Sequence, residues 1–193
     1  FFYNKLTNIL ETSGNVKYLD KVKNIVITSD KATYLKNDEK IFAIGNSKAV
    51  NENNTITAAN LEYDKSNNIF EAKKNAVVTD LQKDTTIYAD EIKYLKNDEK
   101  VFTKGKTRAL IENKYKFNSE DVSYYRNLGD LISQKESSVE DENGNIYKVK
   151  NFNYNIDKEV LKSKEVQVLA KVDGNKIDQY FFSEGFFNFK DKS

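Results

Sequence analysis

The heptapeptide that runs from Tyr34 to Lys40, Tyr-Leu-Lys-Asn-Asp-Glu-Lys, returns unchanged from Tyr94 to Lys100, 60 residues further along. A recurrence of that length marks an internally repeated chain. Such chains are confined to architectures in which one small unit stacks on copies of itself, because a single unit cannot bury its own apolar face. The match extends to Gly45 with Gly105 and to Ala49 with Ala109.

The unit is about half that period. Eight-residue windows closing on Tyr34, Tyr63, Tyr94, Tyr124 and Tyr154 align, their tyrosines stepping by 29, 31, 30 and 30 residues, and Tyr3 stands 31 before Tyr34. Each tyrosine is followed by a polar cluster such as Asn37-Asp38, Ser66-Asn67-Asn68 or Asn97-Asp98, which reads as a turn. A second apolar segment follows in each of the six units: Ile9-Leu10, Ile41-Phe42, Ile69-Phe70, Val101-Phe102, Leu131-Ile132 and Val160-Leu161.

These segments are too short for typical helices, alternate with a partial period of two, and carry β-branched or aromatic anchors, so each unit predicts two strands. The absence of proline suits long hydrogen-bonded ladders. Alternation is imperfect: the first-strand anchors Ile56 and Ala58 have opposite parity to Leu61 and Tyr63. A bulge or bend in mid-strand reconciles them. In each adjacent pair such as Ile41-Phe42, one residue must face away from the interior.

Composition narrows the chemistry. The 193 residues contain no Cys and no His, which removes disulfides, Cys/His zinc sites, thiolate nucleophiles and imidazole bases together. Lysine and arginine number 31 against 30 acidic residues, interleaved to a net charge of +1, so there is no basic field for nucleic acid. No cofactor and no metal site is expected. Asp30, Asp90 and Glu120 occupy equivalent repeat positions, which reads as solvated or turn-capping carboxylates rather than a catalytic pair, since catalysis needs one asymmetric constellation. No stretch approaches the ~18 apolar residues of a spanning helix. With no composition break, residues 1–193 read as a single domain.

Stacked units place Ala32, Leu61, Ile92, Val122 and Phe152 on an interior together with Tyr34, Tyr63, Tyr94, Tyr124 and Tyr154, with Ile41 and Val101 beside them. Leu10, Val16 and Tyr18 fall on an end strand, expected to be a free edge that pairs with a partner.

The pattern of an apolar residue, Ala or Ser, Asp or Glu, an apolar residue and Tyr, then a polar turn and a segment ending in Gly-Asn-Val, resembles the OstA-type repeat of the lipopolysaccharide-transport proteins. It spans Tyr3 to about Phe189. Gly-Asn-Val is intact only at Gly14-Asn15-Val16; Gly45-Asn46-Ser47 and Gly105-Lys106-Thr107 are partial, and the units near Lys73, Lys135 and Lys164 lack the glycine. The resemblance implies an all-β, elongated jellyroll folded over like a taco from about six two-strand repeats. It implies a periplasmic location at the outer membrane and no enzymatic activity, with lipopolysaccharide acyl chains in an apolar groove lined by the residues named above. The implied partners are a neighbouring LptA-type jellyroll, joined by edge-strand pairing, and an outer-membrane β-barrel with its lipoprotein.

Because Phe1-Phe2-Tyr3 starts in mid-unit and Phe187-Asn188-Phe189 stops in the same register, the chain is expected to be a segment of a longer one. Two other classes stay open. A structural β-solenoid would have the same repeat and a packed core that binds nothing. A carbohydrate-processing β-helix would need a unique carboxylate cluster, which the sequence lacks. Lys21-Val22-Lys23, Lys73-Lys74 and Lys104-Gly105-Lys106 read as edge protection, with lipid phosphates as the alternative partner.

Overall fold

A computed structural model describes residues 1–172 and 176–191. Within it the chain runs as an antiparallel meander: β1 (Phe2–Asn4), β2 (Ile9–Asp20), β3 (Ile25–Leu35), β4 (Lys40–Val50), β5 (Asn54–Asp64), β6 (Ile69–Asp80), β7 (Thr85–Leu95) and β8 (Lys100–Ile111). The next two crossings are broken into halves, β9 (Tyr115–Glu120) with β10 (Ser123–Tyr125) and β11 (Asp130–Ser133) with β12 (Ser137–Glu140). Then follow β13 (Ile146–Asn155), β14 (Val160–Val172) and β15 (Lys176–Asn188), and a single 3-10 turn at Lys96–Asp98 is the one helical element among the described residues. The all-β, folded-over architecture read from the repeat is what the chain adopts.

From β2 to β8 each strand bends once, at a register shift between its two halves, as between Ile44 and Ser47 of β4 against Asn60 and Ala58 of β5, while β13 shifts twice against β14. The bends line up across the sheet into a spine that folds it into two walls. Several bends are made by residues in the left-handed region: Gly14-Asn15, Gly45-Asn46, Lys74-Asn75, Gly105 and Glu165. The Gly-Asn-Val motif is therefore the spine itself. Units without the glycine use Asn or a charged residue there, and the unit near Lys135 avoids the demand by breaking the strand between β11 and β12. Gly45 has a second reason to lack a side chain, since a Cβ there would collide with the Asp30 carboxylate.

The bend answers the parity problem: Ala58 and Leu61 both face inward, at 8% and 2% exposure, on opposite sides of the break. Small residues flank it strand after strand, with Ala43 and Ser47, Ala72 and Ala76, Thr103 and Thr107, Ser133 and Ser137 all buried. On one wall these small residues alternate across the strands with bulky ones, Ala43 and Ala72 pairing with Leu61, Ala72 with Ile92 and Ser133 with Phe152, so each large side chain is accommodated by small neighbours. On one wall the next level outward pairs the tyrosines with aliphatic residues, Tyr94 with Val101 and Tyr124 with Leu131, and on the other wall Ile27, Ile56 and Ile87 are buried. Buried aliphatic side chains of this kind each stabilise the fold by ~1.5–3 kcal/mol.

Every repeat tyrosine pairs with the residue seven positions later: Tyr3 with Leu10, Tyr34 with Ile41, Tyr63 with Phe70, Tyr94 with Val101, Tyr124 with Leu131 and Tyr154 with Leu161. That register decides which member of each apolar pair turns inward. Phe70 does, at 3% exposure, whereas Phe42 and Phe102 face out behind buried Ile41 and Val101.

Candidate functional site

The candidate site is the interior between the walls, and its outer rim is built by turn chemistry. Five residues after the tyrosines, Asn8, Glu39, Asn68, Glu99 and Glu159 have positive φ and close the hairpins. The hydroxyls of Tyr3 and Tyr63 donate to the Asn8 and Asn68 side chains at 2.6 and 3.3 Å. The recurring tyrosine thus seals the mouth and braces its own turn. On the opposite rim Asp20, Asn51, Asp80 and Asp141 accept backbone N–H groups two to four residues on, the Asx turn that makes these positions acidic or amidic.

Of the sequence-predicted lining residues, Leu61, Tyr63, Ile92, Tyr94, Val122, Tyr124, Phe152, Tyr154, Ile41 and Val101 are all buried within one continuous apolar cluster, while Ala32 and Tyr34 are half-buried near its N-terminal end. Phe70 stacks on Tyr63 at 4.4 Å and lies 6.3 Å from Tyr94. Between the walls, a space among Ile25, Ala49, Ile56 and Phe70 measures about 10 Å³, too small for more than a water molecule. In this conformation the walls there fill each other's space.

Of the predicted edge residues, Leu10 is paired to Tyr3, so β1 forms the border of that wall, while Val16 and Tyr18 lie on the half of β2 beyond β1. At the other end β15 pairs only with β14 among the described residues and leaves Tyr180, Phe181, Phe182 and Phe186 exposed, Phe181 at 72%. Asp30 accepts a hydrogen bond from the Asn46 side chain at the spine, a supporting role consistent with its repeated position. Lys73-Lys74 and Lys104-Lys106 sit at the spine, away from the mouth; of the lysine runs, Lys21-Lys23 reaches the rim, where the Lys23 ammonium donates to the Lys65 carbonyl.

The residue that sequence reasoning missed is Arg126. It crosses the mouth from the turn after β10 to Asp80 at the end of β6, with Nε donating to the carboxylate at 2.7 Å. Its Nη1 donates to the Tyr94 hydroxyl at 3.1 Å and to Glu99, and the Tyr124 hydroxyl donates to Asp80 at 3.2 Å. Burial opposes the guanidinium charge, but the Asp80 hydrogen bond and the nearby anions outweigh it and hold Arg126 more firmly protonated than usual. Burial also pushes Tyr94 up to about 12. The signal was present: the second residue after the repeat tyrosine is Lys5, Lys36, Lys65, Lys96 and then Arg126. Lys65 makes the corresponding crossing to Asp20 at 3.6 Å.

No family model matches the sequence, and no curated protein matches it. Among solved structures the chain is similar to the crystal structure of LptH, the LptA homologous periplasmic component of the conserved lipopolysaccharide transport device from Pseudomonas aeruginosa. The identity is 11% over 91% of this chain and 96% of that one, with a TM-score of 0.38. A superposition of that quality carries no functional argument. Among the described residues no group of three or more carboxylates is placed to hold a metal ion.

Proposed function

We propose that the chain is a periplasmic lipid-sheltering segment of a lipopolysaccharide-transport assembly. One observation carries the reading: the apolar interior runs the length of the sheet and comes out at both ends. Leu10, Val16, Tyr18 and Tyr34 are half-buried at one end, and Tyr180 and Phe182 are exposed at the other. Acyl chains would take the contacts that the two walls now make with each other, each buried methylene contributing ~0.8 kcal/mol. The free edges of β15 and of the Val16–Asp20 half of β2 would continue the sheet into a neighbouring LptA-type jellyroll. Within that family we assign the chain to the N-terminal domain of LptD, followed by its outer-membrane barrel and lipoprotein partner; a bridging LptA-type protein is the alternative.

A photo-crosslinker at Leu61 or Ile92 should capture lipopolysaccharide, while one at the turn residues Asn37 or Asn97 should not. Leu61→Arg or Ile92→Arg should block capture, because a buried unpaired charge is costly for cargo and fold alike. Equal capture at turn and interior, or none from a folded chain, would sink the proposal. That result would leave a second reading, a β-scaffold that binds nothing, which the 0–2% exposure of Val101, Leu61 and Ile92 and the Arg126 crossing favour. The edge pairing has its own test: proline at Val16 should abolish end-to-end association in light scattering.

A further inference from the structure

At the C-terminal end of the mouth, aromatic side chains from distant parts of the chain line a half-open cavity of about 220 Å³. Tyr115 opens β9, Tyr147 lies in β13, and Phe187 and Phe189 come from the end of β15 and just beyond it. The rings stand across one another rather than in a stack. Tyr147 is 5.2 Å from Phe187 at 65° and 5.1 Å from Phe189 at 81°, and Tyr115 is 5.1 Å from Phe189. Asp141 and Glu142, on the turn after β12, complete the wall.

We propose that this is a binding site for an organic cation of the quaternary ammonium type. The face of an aromatic ring is its electron-rich side and the edge its electron-poor one, so a cation here would be held by the ring faces that front the cavity. Both phenols lean on carboxylates: the Tyr147 hydroxyl donates to Asp141 at 3.1 Å and the Tyr115 hydroxyl to Glu159 at 2.9 Å. Those bonds enrich the rings in electron density and add negative charge behind them. Among the described residues no lysine or arginine lines the cavity; the Lys171 ammonium lies against Gly144 of the same turn. The Asp141 carboxylate is held by the Asn143 and Asn145 backbone N–H groups and the Asn145 side chain, so its position does not depend on a ligand. A bulky methylated ammonium, weakly hydrated and too wide for a close ion pair, suits such a cage better than a compact metal cation does. The same headgroup chemistry could arrive as a free small molecule or on a choline lipid.

Titration of the 193-residue chain with choline, followed by calorimetry and by the ring resonances of Tyr115 and Tyr147, tests the proposal. Choline should bind, and its uncharged analogue with carbon in place of the quaternary nitrogen should bind about tenfold more weakly. Phe187→Leu, which keeps apolar bulk, and Glu142→Gln, on an exposed turn position, should both weaken choline binding while circular dichroism stays unchanged. Cosedimentation with phosphatidylcholine but not phosphatidylglycerol vesicles would assign the headgroup to a lipid; binding of choline alone would assign it to a soluble cation. Equal binding of the uncharged analogue would make the cavity an apolar pocket and overturn the proposal. Absence of choline binding by the folded chain would overturn it as well.

Discussion

Asp20 with Lys65 and Asp80 with Arg126 occupy the same place in the repeat, 60 residues apart on the acidic side, yet they seal the mouth to different degrees. In the first pair the ammonium stands 3.6 Å from the carboxylate, Lys65 is 28% exposed, and Asp20 Oδ2 finds no hydrogen-bond partner among the described residues. In the second the guanidinium bonds at 2.7 Å, is 7% exposed, and gathers two tyrosine hydroxyls and a second carboxylate around it. The difference has two sources. Arginine offers five fixed donors where lysine offers a flexible point charge. Arg126 also sits in mid-sheet with strands on both sides, whereas Asp20 closes β2, beside the N-terminal border of the sheet. A repeat unit supplies the crossing; its neighbours decide whether water is shut out of it.

The largest effect should come from the buried crossing. Arg126→Ala leaves the Asp80 carboxylate buried without its partner and should cost about 3–5 kcal/mol in chemical denaturation. Lys65→Ala should cost less, about 1–2 kcal/mol, because Asp20 is buried but keeps its backbone N–H bonds and loses only a looser, part-exposed partner. Equal losses would erase the distinction between the two sites.

The next effect concerns the spine. Ala72 is 1% exposed where the walls converge, so Ala72→Leu should destabilise by about 1–3 kcal/mol, while Thr12→Leu in the half-buried β2 should be tolerated. Tolerance at both positions would mean that the walls part more readily than their packing implies.

A smaller contrast is set by backbone conformation. Gly14 and Gly45 have φ of +83° and +78°, so alanine at either should cost about 1–2 kcal/mol in melting experiments. Gly45→Ala should cost more, because only there would the new Cβ meet the Asp30 carboxylate.

The smallest effects are those of pH. Burial raises the Asp20 carboxyl, but the Lys23 backbone N–H and the Lys65 ammonium outweigh it and hold it below its ordinary 3.8. A depressed carboxyl stabilises above its unfolded value and loses that contribution as pH falls, so stability should drop below about pH 4. Lys65→Ala should flatten that drop. At the alkaline end Tyr94 and Tyr147 are pushed from 10.0 up to about 12, mainly by burial. Stability from a raised tyrosine is whole below pH 10 and lost as pH climbs to about 12, so thermal melting should fall across that interval. A flat profile there would mean that the rim tyrosines stay solvated in the fold.

The tyrosine spacing, the broken parity and the polar turns were enough to read two strands per unit, a bend in mid-strand and an interior set running from Ala32 to Tyr154, of which Ala32 and Tyr34 are only half-buried. All three follow from local rules of strand periodicity and turn conformation, which a sequence displays directly. Which of Ile69 and Phe70 points inward could not be read in that way, because it depends on the seven-residue pairing across each turn. Nor could the meeting of Arg126 with Asp80, or of Tyr115 and Tyr147 with Phe187 and Phe189. Those contacts join residues dozens of positions apart, and they exist only once the spine has brought one wall over the other.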